Sequence, residues 1–349
     1  MARVTIQDVA REAGVSAMTV SRVLNEQPGV SDRRRAHVRA AIHKLGYRRN
    51  SLARSLKASR SHTLGLVVPD ITNPYFPEIV RGAEDVALEA GYGVFLSNAV
   101  EDQQREATSL RLMDERRVDG VIVVSPRLPE RQLHALLRSH RAAVVVNRSA
   151  PPEVAGAVRL DHVSGVMQAI DHLVSLGRRR FGVLAGPDSS FAARERLEGI
   201  RIGLEARGMP LAPDRLVKTA PYIDDGADAA ARLFELAGPL DALLCYNDLV
   251  AAGALQACAA AGLRVPQDVA VVGFDDIAFA RMFTPPLTTL HVPKYDLGVN
   301  AMRILLDRIA GRNVHAEVVL RPTLVVRGST VAAGTRMSPS TPRAEEVRP

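Results

Sequence analysis

Short apolar runs alternate along most of this chain with stretches of helical periodicity. A first series reads LGLVVPD, then a helical stretch at 75–90; YGVFLSN, then 103–117; GVIVVSP, then 130–140; and AAVVVNR. A second series follows: FGVLAGP at 181–187, then 192–207; LVKTAPY, then 226–237; ALLCYND, then 249–261; and VAVVGFDD. Strands that alternate with helices pack as parallel sheets covered on both faces. Two such series predict two doubly wound α/β lobes. Each lobe should bind at the carboxyl ends of its strands, which puts a ligand between the lobes.

The bulk numbers suit such a protein. With 349 residues, 47% of them apolar and 24% charged, the chain is long enough for two or three domains with real cores. No apolar stretch approaches the roughly 18 residues of a membrane helix. The opening MARVTIQDVA is polar and lacks an export signal, so a cytoplasmic protein with no membrane partner is expected. Cys245 and Cys258 match no metal spacing and read as small buried hydrophobes.

The net charge of +7 is unevenly spread. Residues 1–60 carry 13 basic and 4 acidic groups, while the remaining 289 carry 32 and 34. A basic N-terminal unit on a near-neutral body points to a polyanionic partner. Arg outnumbers Lys 41 to 4 along the whole chain, which reduces the weight of any single surface arginine.

The N-terminal unit is patterned to fold. Ile6, Val9, Ala10 and Ala13 lie on one helical face, with Thr5 as N-cap and Gly14 as the stop. Ser16 caps a second helix, 17–24. Its Val20, Val23 and Leu24 point inward, and Ala17, Met18, Ser21 and Arg22 point outward. A third helix begins after Ser31, buries Val38, Ala41, Ile42 and Leu45, and stops at Gly46. Three short helices, the first two joined by a tight glycine turn, predict a helix-turn-helix. On the outward face Arg22 is suited to a guanine, and Ala17 and Met18 to thymine methyls. Thr5, Thr19, Ser21, Asn25 and Ser31 are placed to bond phosphates, and Ser16 joins them as a DNA-binding candidate. Next, Asn50 can cap a helix over 51–57, too short to stand alone in water. Asn50, Ala53 and Leu56 are its DNA-facing candidates, with a paired Leu56 wedged into a minor-groove step.

TIQDVAREAGVSAMTVSRVLN, with LGYRRNSLARSLKASRSHTLGLVVPDITNPYF further on, resembles the lactose-repressor (LacI/GalR) family of bacterial transcription regulators. The similarity runs from Thr5 to about Thr330. It implies a headpiece over 1–48, a hinge helix or linker over 49–61, and a dimeric effector-binding core over 62–330, similar to periplasmic sugar-binding proteins. The core's first lobe would span about 62–160 and 292–321, and its second about 161–291 and 322–330. Arg49 departs from the family, which usually has proline there. Residues 331–349, rich in Ser, Pro, Thr and charge, are expected to be disordered.

The effector candidates are strand-end residues. In the first lobe they are Asp70, Asn73, Tyr75, Phe76, Ser125 and Asn147. In the second they are Phe191, Arg194, Tyr222, Asn247, Asp248 and Asp275. Carboxylates, amides and a guanidinium suit vicinal hydroxyls, and Tyr75, Phe76, Tyr222 and Phe283 could wall a sugar ring. By resemblance, Arg194 and Asp275 are the foremost pocket residues, then Asn247. Asn147 stands where many family members have aspartate, and the segment at Tyr222 is one residue shorter than usual. Two local readings compete: Arg194 could pair with Glu198, and Asp275 could cap a helix starting near Ile277.

Catalytic motifs are missing: no GxxxxGK[ST], GxGxxG, HExxH or GxSxG occurs, the histidines lack metal spacing, and Asp224–Asp225 and Asp275–Asp276 are adjacent pairs that diverge. No cofactor is expected. The sequence therefore reads as a homodimeric, or higher oligomeric, repressor of double-stranded operator DNA governed by a sugar-like effector. A nucleobase or phosphorylated effector is the alternative. An enzyme, a solute-binding protein and an unliganded architectural DNA binder are less suited to these features.

Overall fold

The computed structural model describes residues 4–47, 60–312 and 317–331. The expected hinge helix, with Asn50, Ala53 and Leu56, and nearly all of the C-terminal tail lie outside the described residues. The chain divides into two units, 1–61 and 62–349.

The first unit holds three helices: α1 (Ile6–Glu12), α2 (Ala17–Leu24) and α3 (Asp32–Leu45). Thr5 and Asp8 cap α1 reciprocally, each side chain bonding the other's backbone N–H. The Ser16 hydroxyl accepts from Thr19 N at the start of α2. Gly14 and Gly46 adopt φ of +62 and +60, which only glycine does without strain. Val9, Ala10, Val20, Val23, Val38 and Ala41 form one small core. The expectation for Ser31 needs correcting: it occupies the N-cap position of α3, but its side chain makes no capping bond.

The second unit contains two six-stranded sheets. The first sheet uses β1 (Thr63–Val68), β2 (Gly93–Asn98), β3 (Gly120–Val124), β4 (Ala143–Val146), β5 (Gly156–Leu160) and β11 (Glu317–Leu320), in the order β11-β5-β4-β3-β1-β2. The second uses β6 (Phe181–Ala185), β7 (Leu216–Lys218), β8 (Ala242–Cys245), β9 (Ala270–Asp275), β10 (Thr288–His291) and β12 (Thr323–Val325), in the order β12-β10-β9-β8-β6-β7. All pairings are parallel except β10 with β12. The chain thus passes between sheets after β5, after β10 and between β11 and β12.

The helices between strands are α4 (Tyr75–Glu89), α5 (Gln103–Glu115), α6 (Glu130–Leu137), α7 (His162–Ser175), α8 (Phe191–Glu205), α9 (Ile223–Leu236), α10 (Asp248–Ala260) and α11 (Lys294–Ile309). Helices α7 and α11 were not foreseen from the pattern. Two crossings repeat one device. A Cβ on Gly298 of α11 would sit 2.0 Å from Ile79 O of α4, and one on Gly253 of α10 would sit 2.1 Å from Ile223 O of α9. Only glycine lets these backbones meet so closely.

Candidate functional site

In the first unit, α2 divides as its periodicity requires. Val20 and Val23 are buried, while Met18 is 67% exposed and Arg22 is exposed. Ala17 differs from expectation: it is half-buried and leans on the headpiece core, so Met18, Ser21 and Arg22 form the outer face. The guanidinium of Arg22 makes no hydrogen bond among the described residues. Thr5, Ser16 and Thr19 are occupied as local caps, and the Ser21 hydroxyl accepts from the Asn25 amide at 3.4 Å. Each capping hydroxyl satisfies one first-turn N–H and leaves the remaining free N–H groups to a phosphate.

In the second unit, the strands of both sheets end on one cleft. Asn73, Tyr75, Phe76, Glu101, Ser125, Arg127 and Asn147 line it from one lobe, and Ala192, Arg196, Pro221, Tyr246, Asn247 and Asp275 from the other. Backbone strain gathers here. Val100, Glu101, Ser125, Asn147, Asp275 and Asp276 are non-glycine residues with φ between +46 and +118, all at strand ends. Such conformations persist where surrounding structure holds them, and they tend to mark ligand sites.

Each lobe brings one organised cluster. In the first, the Asn147 amide donates to Tyr75 Oη and Ser125 Oγ, both at 2.9 Å. Its Oδ1 is buried without a partner. Tyr75 and Phe76 meet edge to face, 5.1 Å between centroids. Deeper, the buried Arg127 grips Glu101 through Nε and Nη2 and donates to Ser125 O at 2.9 Å. Glu106 in turn accepts from the Arg127 and Leu128 amides.

In the second lobe, Arg196 is the centre. Its guanidinium stacks 3.5 Å over the Phe274 ring and donates to Tyr246 O and, at 3.5 Å, to Asp275 Oδ1. Its Nε donates to His162 Nδ1 at 3.3 Å. Burial, followed by the charges of Arg196 and Arg159, pulls His162 well below the usual histidine range, so the imidazole is neutral and can accept. Burial pushes Asp275 up to about 6, against the pull of Arg196 and of Lys294. Lys294 also donates to the carbonyls of Asp275 and Asp276, both at 2.9 Å.

Several expected residues fall elsewhere. Arg194 is exposed, donates to Asp188 O and lies 5.7 Å over the Phe191 ring; neither it nor Phe191 lines the cleft, and Arg194 does not pair with Glu198. Positions 194 and 196 are about 200° apart on a helix, so they face opposite ways. The cleft arginine is therefore Arg196. Tyr222 does not line the cavity either; its hydroxyl crosses to the other lobe and donates to Asp70 Oδ2 at 2.9 Å. Phe283 packs on the core of its own lobe. Asp248 is fully buried beneath the cleft and bonds Ile277 N and Thr289. It therefore does the capping expected of Asp275. Tyr75, Phe76, Ser125, Asn147, Asn247 and Asp275 do converge. Glu101, Arg127, Arg196 and Tyr246 were missed. Arg127 had one signal, its place two residues past a strand-end serine.

Comparison with known proteins fits both units. Residues 5–50 match the lacI family of bacterial regulatory proteins, and residues 170–330 match a periplasmic binding protein-like domain. The chain is 38% identical over 330 residues to the ribose operon repressor of Escherichia coli K12, spanning 93% of this chain and 99% of that one. The chain belongs to the LacI family. Another LacI-family relative, the HTH-type transcriptional repressor CytR of Escherichia coli K12, is 34% identical over 94% of this chain and 96% of its own. The Lac repressor dimer bound to operator and the anti-inducer ONPF superimposes with a TM-score of 0.86 at 29% identity, over 95% of this chain and 100% of that one. As a member of the LacI family, the protein is a DNA-binding transcriptional regulator. Its first unit is the helix-turn-helix headpiece and its second the two-lobed α/β effector core.

Proposed function

We propose that this LacI-family protein is a homodimeric cytoplasmic repressor. A neutral, polyhydroxylated effector, bound in the interlobe cleft, sets its hold on operator DNA. The observation that carries the effector class is the Asn147 amide. Whichever way it faces, one of its ends is buried without a partner, and a hydroxyl, both donor and acceptor, satisfies either end.

Charge supports the same class. Each cleft cation already has a carboxylate, Arg127 with Glu101 and Arg196 with Asp275. A phosphorylated ligand would find no unpaired cation among the lining residues. The Tyr75 and Phe76 rings stand at 85°, presenting one face and one edge rather than the parallel faces that sandwich a nucleobase.

In the headpiece, helix α2 would enter the major groove with Arg22 reading base edges. Residues 49–61 would pass the effector's influence on lobe closure to the paired headpieces. A coupling of this kind is usually worth about 1–3 kcal/mol. The relatives named above are transcriptional repressors, so a purely regulatory, non-catalytic role is proposed. Among the described residues no helix is long and apolar enough to cross a membrane.

The test is a thermal-shift screen of neutral pentoses and hexoses, their phosphates, and nucleobases, followed by operator titration with each hit. A true effector present at 100 times its Kd should stabilise the core by about 2.7 kcal/mol. A response confined to phosphates or nucleobases would overturn the proposed effector class.

A further inference from the structure

We infer that the buried Arg127–Glu101 pair is a second diol-binding subsite, so that each lobe holds hydroxyls of the effector through an arginine and a carboxylate. This rests on the sugar-like reading above and extends it to a residue pair on the opposite lobe from Arg196 and Asp275.

The pair is built like the Arg196–Asp275 pair, but from the other sheet. Arg127 follows β3 and Glu101 follows β2, and both line the cavity. Their side chains are 4% and 16% exposed. Arg127 spends Nε and Nη2 on Glu101 and one Nη1 hydrogen on Ser125 O. A guanidinium has five N–H groups, so two remain, one on each terminal nitrogen. Glu101 keeps further lone pairs on both oxygens. A donor fork beside a carboxylate matches a vicinal diol, in which each hydroxyl accepts one bond and donates another.

The two pairs come from opposite sheets and line one cavity, so a ligand between the lobes meets both. The backbone turn that brings Glu101 there is costly: Val100 and Glu101 hold φ of +53 and +55, just before the Asp102 cap of α5. A β-branched residue in that region is strained, and the strain aims Glu101 at Arg127. An ion pair made only for stability is a poor reason for such strain, because buried pairs rarely outdo apolar packing.

The test measures sugar binding by calorimetry on the full chain, using D-ribose, D-xylose, D-glucose and D-galactose with their monodeoxy counterparts. The wild type should bind its preferred sugar about tenfold or more tightly than two classes of deoxy sugar, one lacking a hydroxyl held by Arg127 and Glu101 and one lacking a hydroxyl held by Arg196 and Asp275. In Glu101→Gln/Arg127→Met, which removes both charges together, one class should lose its penalty and the other keep it. Arg127→Lys retains the charge without the fork and should partly restore the discrimination. Circular dichroism melts and operator binding report that the variants are folded. If the double variant binds every sugar as the wild type does, or weakens all of them equally, the subsite is wrong. If no neutral sugar binds the wild type, the sugar reading itself fails and the subsite falls with it.

Discussion

The Tyr222 hydroxyl donates to Asp70 Oδ2 at 2.9 Å, and the two residues belong to different lobes. Tyr222 precedes α9 and Asp70 follows β1, so this bond spans the mouth of the cleft. Burial opposes the Asp70 charge, but hydrogen bonds from Thr72 and Tyr222 outweigh it and hold the carboxyl below its usual range. The bond joins the two lobes, so it is expected to favour their closed arrangement. Tyr222→Phe should shift the lobes toward opening by about 1–3 kcal/mol, the worth of a hydrogen bond to a charged group. Effector affinity should fall about tenfold or more in calorimetry with no loss in thermal stability of the headpiece. Unchanged affinity would mean that the clasp does not distinguish the two states.

Asp275 predicts a pH dependence with two opposite signs. Its carboxyl is raised from 3.8 to about 6 by burial, with Arg196 and Lys294 opposing. Between those values the folded protein binds more protons than the unfolded one, so this group makes stability fall as pH rises through the window. Effector binding should run the other way, because only the ionised carboxylate accepts from two hydroxyls. Calorimetry from pH 5 to 7.5 should show affinity rising through about pH 6. Asp275→Asn should flatten that rise, and Asp275→Ala should abolish the effector response while operator binding persists.

Arg22→Ala should remove operator discrimination and leave effector binding intact. The side chain is exposed on the outer face of α2, away from the core of Val20 and Val23. Losing one bidentate base contact costs about 1–3 kcal/mol of discrimination at that position. A binding-site selection on wild type and variant reads this directly. An unchanged site preference would remove Arg22 from the reading face.

Asp248 is a test of the scaffold under the cleft. Burial, then the nearby Asp275 charge, pushes its carboxyl well above the usual range, which favours the neutral form. An asparagine copies that state: its carbonyl accepts from Ile277 N and its amide donates to Thr289 Oγ1. Asp248→Asn should therefore melt within about 1 kcal/mol of wild type. Asp248→Ala leaves a buried Ile277 N–H unpaired and should cost about 1–3 kcal/mol. Equal losses in both variants would show that the carboxyl is ionised after all.

How far the sequence reached differs between the two units. The headpiece was readable because its information is local. Caps at Thr5 and Ser16, stops at Gly14 and Gly46, and a period of 3.6 define three short helices without reference to distant residues. Ala17 is the exception, since whether it reads DNA or rests on the core depends on how α2 docks. Ser31 shows the same limit: a serine at the N-cap position need not bond.

In the core, the alternation of strands and helices determined the fold class and directed attention to strand ends. Asn147, Ser125, Asn247 and Asp275 were found that way. Arg196 was not, although it lies two residues from Arg194. Both sit on one amphipathic helix, and only its docking on α7 and the second sheet decides which faces the cleft. Arg127, Glu101 and Tyr246 were hidden for a related reason. Their roles arise from ion pairs and backbone turns that join loops far apart in sequence, and Tyr222 became a clasp because the other lobe places Asp70 opposite it. Local periodicity thus determined the headpiece helices and most of the alternating strands and helices of the core, and the resemblance in the N-terminal motif pointed to the function. Which side chain completes the site was decided by tertiary packing, because a residue's partner across a cleft has no fixed spacing along the chain.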